Sequence, residues 1–254
     1  MECNRHLKFD ALLARAEQLG FDAVATGHHA QVQRVGDRCV LARGADRAKD
    51  QSYVLHMLDQ RSLAQVLLPV GHLTKAQVRE QAAALGLRTA AKPDSQEVCF
   101  ITSTSGREGF LKRRLELHPG TVVDTDGRRV GEVDAVELLT VGQRRGLGGS
   151  GGGRRLYVVD VDVPARRVVV GPAAALRATK LVAGPMSWVH DPVSGELLVQ
   201  CSAHGTPQPA TVTPDGDQIV VTWHEPQRRV APGQSVVLYD LGDRQVLGGA
   251  PALS

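Results

Sequence analysis

The sequence has little cysteine, no long apolar run and no internal repeat. Nowhere do about 18 uncharged apolar residues follow one another, so no transmembrane helix is indicated. The first residues carry no apolar leader, so secretion is not indicated either. The four cysteines (Cys3, Cys39, Cys99, Cys201) form no Cys-x-x-Cys pair and keep no regular spacing. That argues against a zinc site and a disulfide framework, and favours a reducing, cytoplasmic setting without a membrane partner. What remains is a chain of 254 residues with an ordinary 42% hydrophobic content, enough for one large domain or two to three small ones.

Charge is uneven along the chain. Residues 1–103 carry 13 Lys/Arg against 11 Asp/Glu, residues 104–180 carry 14 against 9, and residues 181–254 carry 3 against 7. The middle third holds the doublets Arg113-Arg114, Arg128-Arg129, Arg144-Arg145, Arg154-Arg155 and Arg166-Arg167. Any one of them reads as a solvated basic surface. Together they point to a polyanion partner, because the guanidinium fork binds phosphate at two points.

Apolar spacing predicts a helix over 8–19 with Phe9, Leu12, Leu13, Ala16 and Leu19 on one face, then a buried strand over 22–26 that stops at Gly27-His28. Ligands of open parallel sheets collect at the carboxyl ends of strands, which puts Gly27 and His28 on the ligand side. Residues 31–43 read as a hairpin about Gly36-Asp37, with Cys39 packed inside its second strand. Lys49, Asp50 and Gln51 place a cation, an acceptor and an amide at a helix start, suited either to capping or to RNA backbone. A second helix over 74–85, capped by Thr74, turns Val78, Ala82 and Leu85 inward, and Leu87–Ala90 reads as a further strand. Few parallel strands result, and a parallel sheet needs several with both faces covered. The expectation is therefore a truncated α/β domain: a shortened gene product, a mis-assigned start or half of a split protein.

Beyond Arg107 come one helix over 109–117, a hairpin about Asp126-Gly127, and strands 157–163 and 167–171. The Gly149–Gly153 run reads as a loop. Past Leu181 the pattern is purely β, with regular turns that suggest a small closed barrel and with Trp188 and Trp223 in the core.

The chain is organised around Lys92-Pro93-Asp94-Ser95-Gln96-Glu97-Val98-Cys99-Phe100, a shaped loop running into an apolar segment. A lone cysteine there would simply pack. With Cys3-Asn4-x-x-Leu7-Lys8-Phe9 it takes on another meaning, because the two segments resemble those of the bacterial tRNA-specific 2-thiouridylases. Ala25-Thr26-Gly27-His28, Arg43-Gly44-x-Asp46-x-x-Lys49-Asp50-Gln51-Ser52-Tyr53 and Pro69-Val70-Gly71 are similar to that family's motifs and in its order. So are Thr140-x-Gly142-Gln143-Arg144-x-Gly146-Leu147-Gly148 and Pro232-Gly233-Gln234-Ser235.

The resemblance implies an α/β part (a truncated adenine-nucleotide α-hydrolase-like parallel sheet) over 1–103, a small central α+β tRNA-binding domain over 104–180 and a C-terminal β-barrel over 181–254. It implies ATP-dependent replacement of the C2 oxygen of the wobble uridine by sulfur, with ATP and Mg2+ as cofactors. Cys99 would carry a persulfide, Cys3 would be the partner thiol able to pair with it in a disulfide, and Gly27 would face the nucleotide. His28, Lys49, Asp50, Gln51 and Gln234 match positions that touch tRNA, and Arg144 and Arg145 are basic candidates for the same partner. The sulfur donor would be a cysteine desulfurase or a sulfur-relay protein. The family's Ser-Gly-Gly-x-Asp-Ser nucleotide loop does not occur in these residues, nor does the Asn-Pro segment before the first cysteine. Ser202-Ala203-His204 stands where many members have Arg-Tyr. A catalytically inactive tRNA-binding remnant, and a thiol protein that relays sulfur without touching RNA, are the competing expectations.

Overall fold

The computed structural model describes residues 3–92, 106–147 and 155–253. Two compact units divide the chain, one of Met1–Lys92, Thr179–Glu225 and Pro232–Ser254, the other of Pro93–Ala178 and Pro226–Ala231.

A π-helical stretch (Cys3–Asp10) runs into α1 (Ala11–Gln18), as the apolar spacing anticipates. Phe9 is buried and Leu13 packs on the core, but Leu12 and Leu19 face solvent. Strand β1 (Val24–Ala25) is followed by the hairpin β2 (Ala30–Val35) and β3 (Arg38–Arg43), which turns at Gly36 with φ +63°. A 3-10 turn (Ser52–Leu55) forms at the helix start read after Lys49–Gln51. It is succeeded by α2 (Gln60–Ala64), β4 (Val66–Leu67) and α3 (Lys75–Ala84). Thr74 caps α3 in a full capping box with Gln77, satisfying donors that the first helical turn leaves open. Leu85 does not turn inward, because nothing among the described residues covers that face, and residues 87–92 form turns rather than a strand. Among the described residues of this unit the parallel sheet is β1 and β4 alone, in register Val24↔Val66 and Ala25↔Leu67.

The second unit holds α4 (Gly106–Lys112) and a four-stranded sheet of β5 (Gly120–Asp124), β6 (Arg129–Val133), β7 (Tyr157–Asp162) and β8 (Arg167–Gly171), in the order β6-β5-β8-β7. Gly127 takes φ +81° in the expected turn, and Val122, Val133, Val136, Val158, Val168 and Val170 form the core.

The chain then returns through β9 (Arg177–Ala183), β10 (Ser187–Trp188), β11 (Gly195–Gln200), β12 (Gln208–Asp215), β13 (Gln218–Arg228), β14 (Ser235–Tyr239) and β15 (Gln245–Pro251). Along one path run β15-β14-β11-β12-β13-β9. An Ala183↔Ala252 bridge, with Leu253 donating to the Val182 carbonyl and Gly184 to that of Pro251, brings β9 back to β15 and closes the barrel. Hairpin β2–β3 joins the outside of this sheet through β3 and β15. Strand β14 is buried at all five positions. Val237 and Tyr239 belong to one core with Phe9, Tyr53, Leu55, Leu58 and Leu63, while by strand alternation Val236 and Leu238 point the other way, into the barrel. One strand is thus a wall shared by the barrel and the α/β residues.

Candidate thiol site and nucleic-acid interface

Cys99 lies outside the described residues, as do Asp94, Ser95 and the Gly149–Gly153 loop. The side chain of Cys3 lies outside them too, although its backbone opens the π-helical stretch. The other two thiols have bland settings. Cys39 is buried in β3, and burial pushes the Cys201 thiol up to about 12, which leaves it protonated and unreactive near neutral pH.

Around the end of β1 the surroundings are built by short-range bonds. The amide of Thr26 donates to the Leu67 carbonyl, and its hydroxyl lies 2.9 Å from His28 Nδ1. The His28 ring rests against Phe9, with centroids 5.7 Å apart. Burial, with Lys8 and His29 adding to it, lowers the His28 pKa to about 4. Near neutral pH this imidazole is uncharged, so it can exchange hydrogen bonds but supplies no positive charge. Gly27 is open: a Cβ built there would meet nothing within 4 Å.

Residues 44–52 fold back on this segment. Gln51 clamps His29 twice, its side-chain oxygen accepting from the His29 amide at 2.9 Å and its own amide donating to the His29 carbonyl at 2.8 Å. Asp50 turns inward. Its Oδ1 accepts from the amides of Gly44 (2.7 Å) and Ser52 (3.2 Å), and its Oδ2 from Ser52 Oγ and Arg43 Nη1, both at 2.8 Å. Asp46 fastens the same loop to α3 by accepting from the Lys75 amide at 3.0 Å. Gly44 passes so close to the His29 carbonyl that a Cβ would stand 2.5 Å from its oxygen. Lys49 is exposed at the tip. The turn therefore brings His28, Lys49, Asp50 and Gln51 together, with Asp50 spent on holding the backbone in shape.

Gln234 joins them through its neighbour. Tyr53 Oη donates to the Ser235 carbonyl at 2.7 Å, His56 Nε2 lies 3.3 Å from Ser235 Oγ, and Ser52 Oγ lies 3.2 Å from the Tyr239 hydroxyl. Beside these contacts is a cleft of about 370 Å³, lined among others by Arg5, His56, Ser202, Gly233 and Gln234. Burial, then Arg5, lowers the His56 pKa to about 4. In the other unit Arg144 and Arg145 are exposed on a turn held by Gln143, whose side-chain nitrogen donates to the Arg145 carbonyl at 2.8 Å, and by Arg228, which donates to the Gly142 carbonyl at 2.6 Å. Arg43 lies in a motif of the α/β residues and Asp243 in a barrel turn, yet their side chains meet. Nothing in a linear pattern tells that they meet.

Three family models match in succession: a tRNA methyl transferase HUP domain over residues 1–103, a tRNA methyl transferase PRC-barrel domain over 108–172 and an aminomethyltransferase beta-barrel domain over 178–252. The chain is 46% identical to the tRNA-specific 2-thiouridylase MnmA of Chloroflexus aurantiacus over 256 residues, covering 98% of this chain and 70% of that protein. It is 46% identical over 255 residues to the MnmA of Acidothermus cellulolyticus, with the same two coverages, and 44% identical over 255 residues to that of Carboxydothermus hydrogenoformans, with 97% and 69% covered. The chain belongs to the MnmA family. Its α/β part is a HUP domain, followed by a central PRC-barrel domain and a C-terminal barrel, as the fold reading expects. In an MnmA-type chain the Gly27–His29 and Lys49–Gln51 segments both lie in the HUP domain, and Gln234 lies in the C-terminal barrel.

Proposed function

We propose that this chain thiolates tRNA at C2 of the wobble uridine (position 34), with Cys99 as the persulfide carrier and Cys3 as its partner thiol. The observation that supports this most is the clamp joining Gly27–His29 to Lys49–Gln51, tied through Ser52 and Tyr53 to the strand beside Gln234. Segments far apart in sequence, each matching a family motif, share one compact unit. Arg144 and Arg145 would add phosphate contacts from the central domain.

The outer sulfur of the Cys99 persulfide attacks C2 of a uridine drawn out of its stack, and the C2 oxygen departs. The Cys3 thiolate then attacks Cys99 Sγ, breaking the S–S bond so that the outer sulfur stays on C2. A Cys3–Cys99 disulfide results, and a thiol reductant returns both to thiols with two electrons. A cysteine desulfurase or a sulfur-relay protein reloads Cys99. ATP, with Mg2+, would activate the departing oxygen. Gly27 suits a closely approaching ligand, since no protein neighbour requires glycine there. No described residue forms a phosphate cradle and the Ser-Gly-Gly-x-Asp-Ser loop is not in the sequence, so no phosphate step is assigned to these residues.

The competing reading is a tRNA-binding remnant without catalysis. Both are tested in a bacterial strain lacking its own thiouridylase, with thiolated tRNA read by its retardation on a mercury-containing gel. Thiolation by the chain that disappears in Cys99→Ser and Cys3→Ser supports the first reading. Thiolation indifferent to both substitutions overturns the assigned thiols, and no thiolation together with specific tRNA binding establishes the remnant.

A further inference from the structure

Arg43 ends β3 with its side chain only 8% exposed, facing Asp50 at 5%. Its Nη1 donates to Asp50 at 2.8 Å, its Nε and Nη2 to Asp243 Oδ1 at 2.9 and 2.5 Å, and its Nη2 also to Gln200 Oε1 at 2.8 Å. The guanidinium carbon stands 3.7 Å from the ring centroid of Tyr239. Arg47 pairs with the second oxygen of Asp243 and donates to its carbonyl at 3.0 Å. Asp243 itself takes φ +51°, a turn conformation that Asp, Asn and Gly tolerate. Among the described residues, every partner of the Arg43 guanidinium other than Asp50 therefore comes from the barrel: Gln200 from β11, Tyr239 from β14 and Asp243 from the turn before β15.

A buried ion pair adds little stability over apolar packing of the same shape, so its use here is geometric. We propose that Arg43 and Asp243 are positioning residues for tRNA: a brace by which the last barrel hairpin fixes Asp50, and through Asp50 the placement of Lys49 and Gln51 against the RNA. This rests on the reading that residues 49–51 meet tRNA. It adds that the barrel, rather than the HUP residues alone, sets where they stand.

The test is a double-mutant cycle on the full chain, binding an unmodified tRNA transcript followed by fluorescence anisotropy, a readout independent of thiolation. Lys49→Ala is expected to weaken binding about tenfold, the scale of one lost charge-assisted contact. Asp243→Asn, which keeps the turn but not the charge, is expected to weaken it roughly fivefold, and the pair together by little more than Lys49→Ala alone, since misplacing an absent amine has no further effect. Weakening by both with that shortfall supports the brace. Effects that multiply in full, or no effect of Asp243→Asn while Lys49→Ala weakens binding, overturn it. No effect of Lys49→Ala removes the tRNA reading of the loop and the brace with it. Asp243→Gly, which also suits the turn, repeats the cycle if the first variant does not fold; a purely structural role would lower its melting temperature and leave the affinity of the folded protein unchanged.

Discussion

Within one compact unit the barrel and the outlying α/β elements are built in opposite ways. Strand β14 is buried at all five positions, whereas α1 and α3 contain no buried residue at all. Leu12, Leu19, Phe21, Leu67, Leu85 and Leu87 are exposed around those helices and the two-stranded parallel sheet. The barrel closes on itself and satisfies its own edges. A parallel pair of two-residue strands does not, and what holds the α/β residues is the core that Phe9, Tyr53, Leu55, Leu58 and Leu63 share with the outer face of β14. Stability should therefore reside in the barrel and at the seam, and the sites that face ligands should be energetically light.

The sharpest way to break this contrast is at the seam. Arg43→Ala leaves Asp50 buried opposite no cation and should cost about 4 kcal/mol in urea unfolding. A cost under about 1 kcal/mol would mean that barrel and loop are not coupled. Next comes a pair of identical substitutions: Leu238→Ala inside the barrel should cost about 3 kcal/mol. Leu85→Ala, at a residue 75% exposed, should stay within about 0.5 kcal/mol. Similar costs for the two would erase the distinction between the regions.

Two glycines give a finer comparison. A Cβ on Gly71 would run into the Ala30 carbonyl, so Gly71→Ala should cost about 2 kcal/mol. Gly27→Ala meets open space and should leave the melting temperature unchanged while thiolation of tRNA falls, a separation that a structural glycine would not give.

The same contrast extends to pH. Burial holds His28 and His56 at about 4, while the ordinary imidazole value is 6.5. Between these values the unfolded chain binds more protons, so the contribution of neutral burial is complete above pH 6.5 and is lost as the pH falls toward 4. Melting temperatures measured across that window should decline with acidity, and His56→Gln should flatten the decline. An unchanged slope would show that burial at the seam does not control the titration.

The hairpin 31–43, the cap at Thr74 and the strands from Leu181 onward were legible because each is a local pattern: turn residues between apolar runs, an acceptor before a helix, alternation of period two. The inward face assigned to Leu12, Leu19 and Leu85 was not, because periodicity tells which side of a helix is apolar and not whether anything covers it. Among the candidate site residues, Lys49 is exposed, while Asp50 and Gln51 are engaged with Arg43 and His29 inside the chain, which no linear pattern announces.

By itself the sequence determined the first helix, the hairpin, the barrel class and the family, since short-range propensity and ordered motifs are written residue by residue. Only the tertiary structure decided that β14 serves two cores and that Asp243 reaches Arg43 across 200 residues of chain. Such contacts depend on how the barrel closes, and closure is a property of all its strands at once rather than of any stretch of sequence.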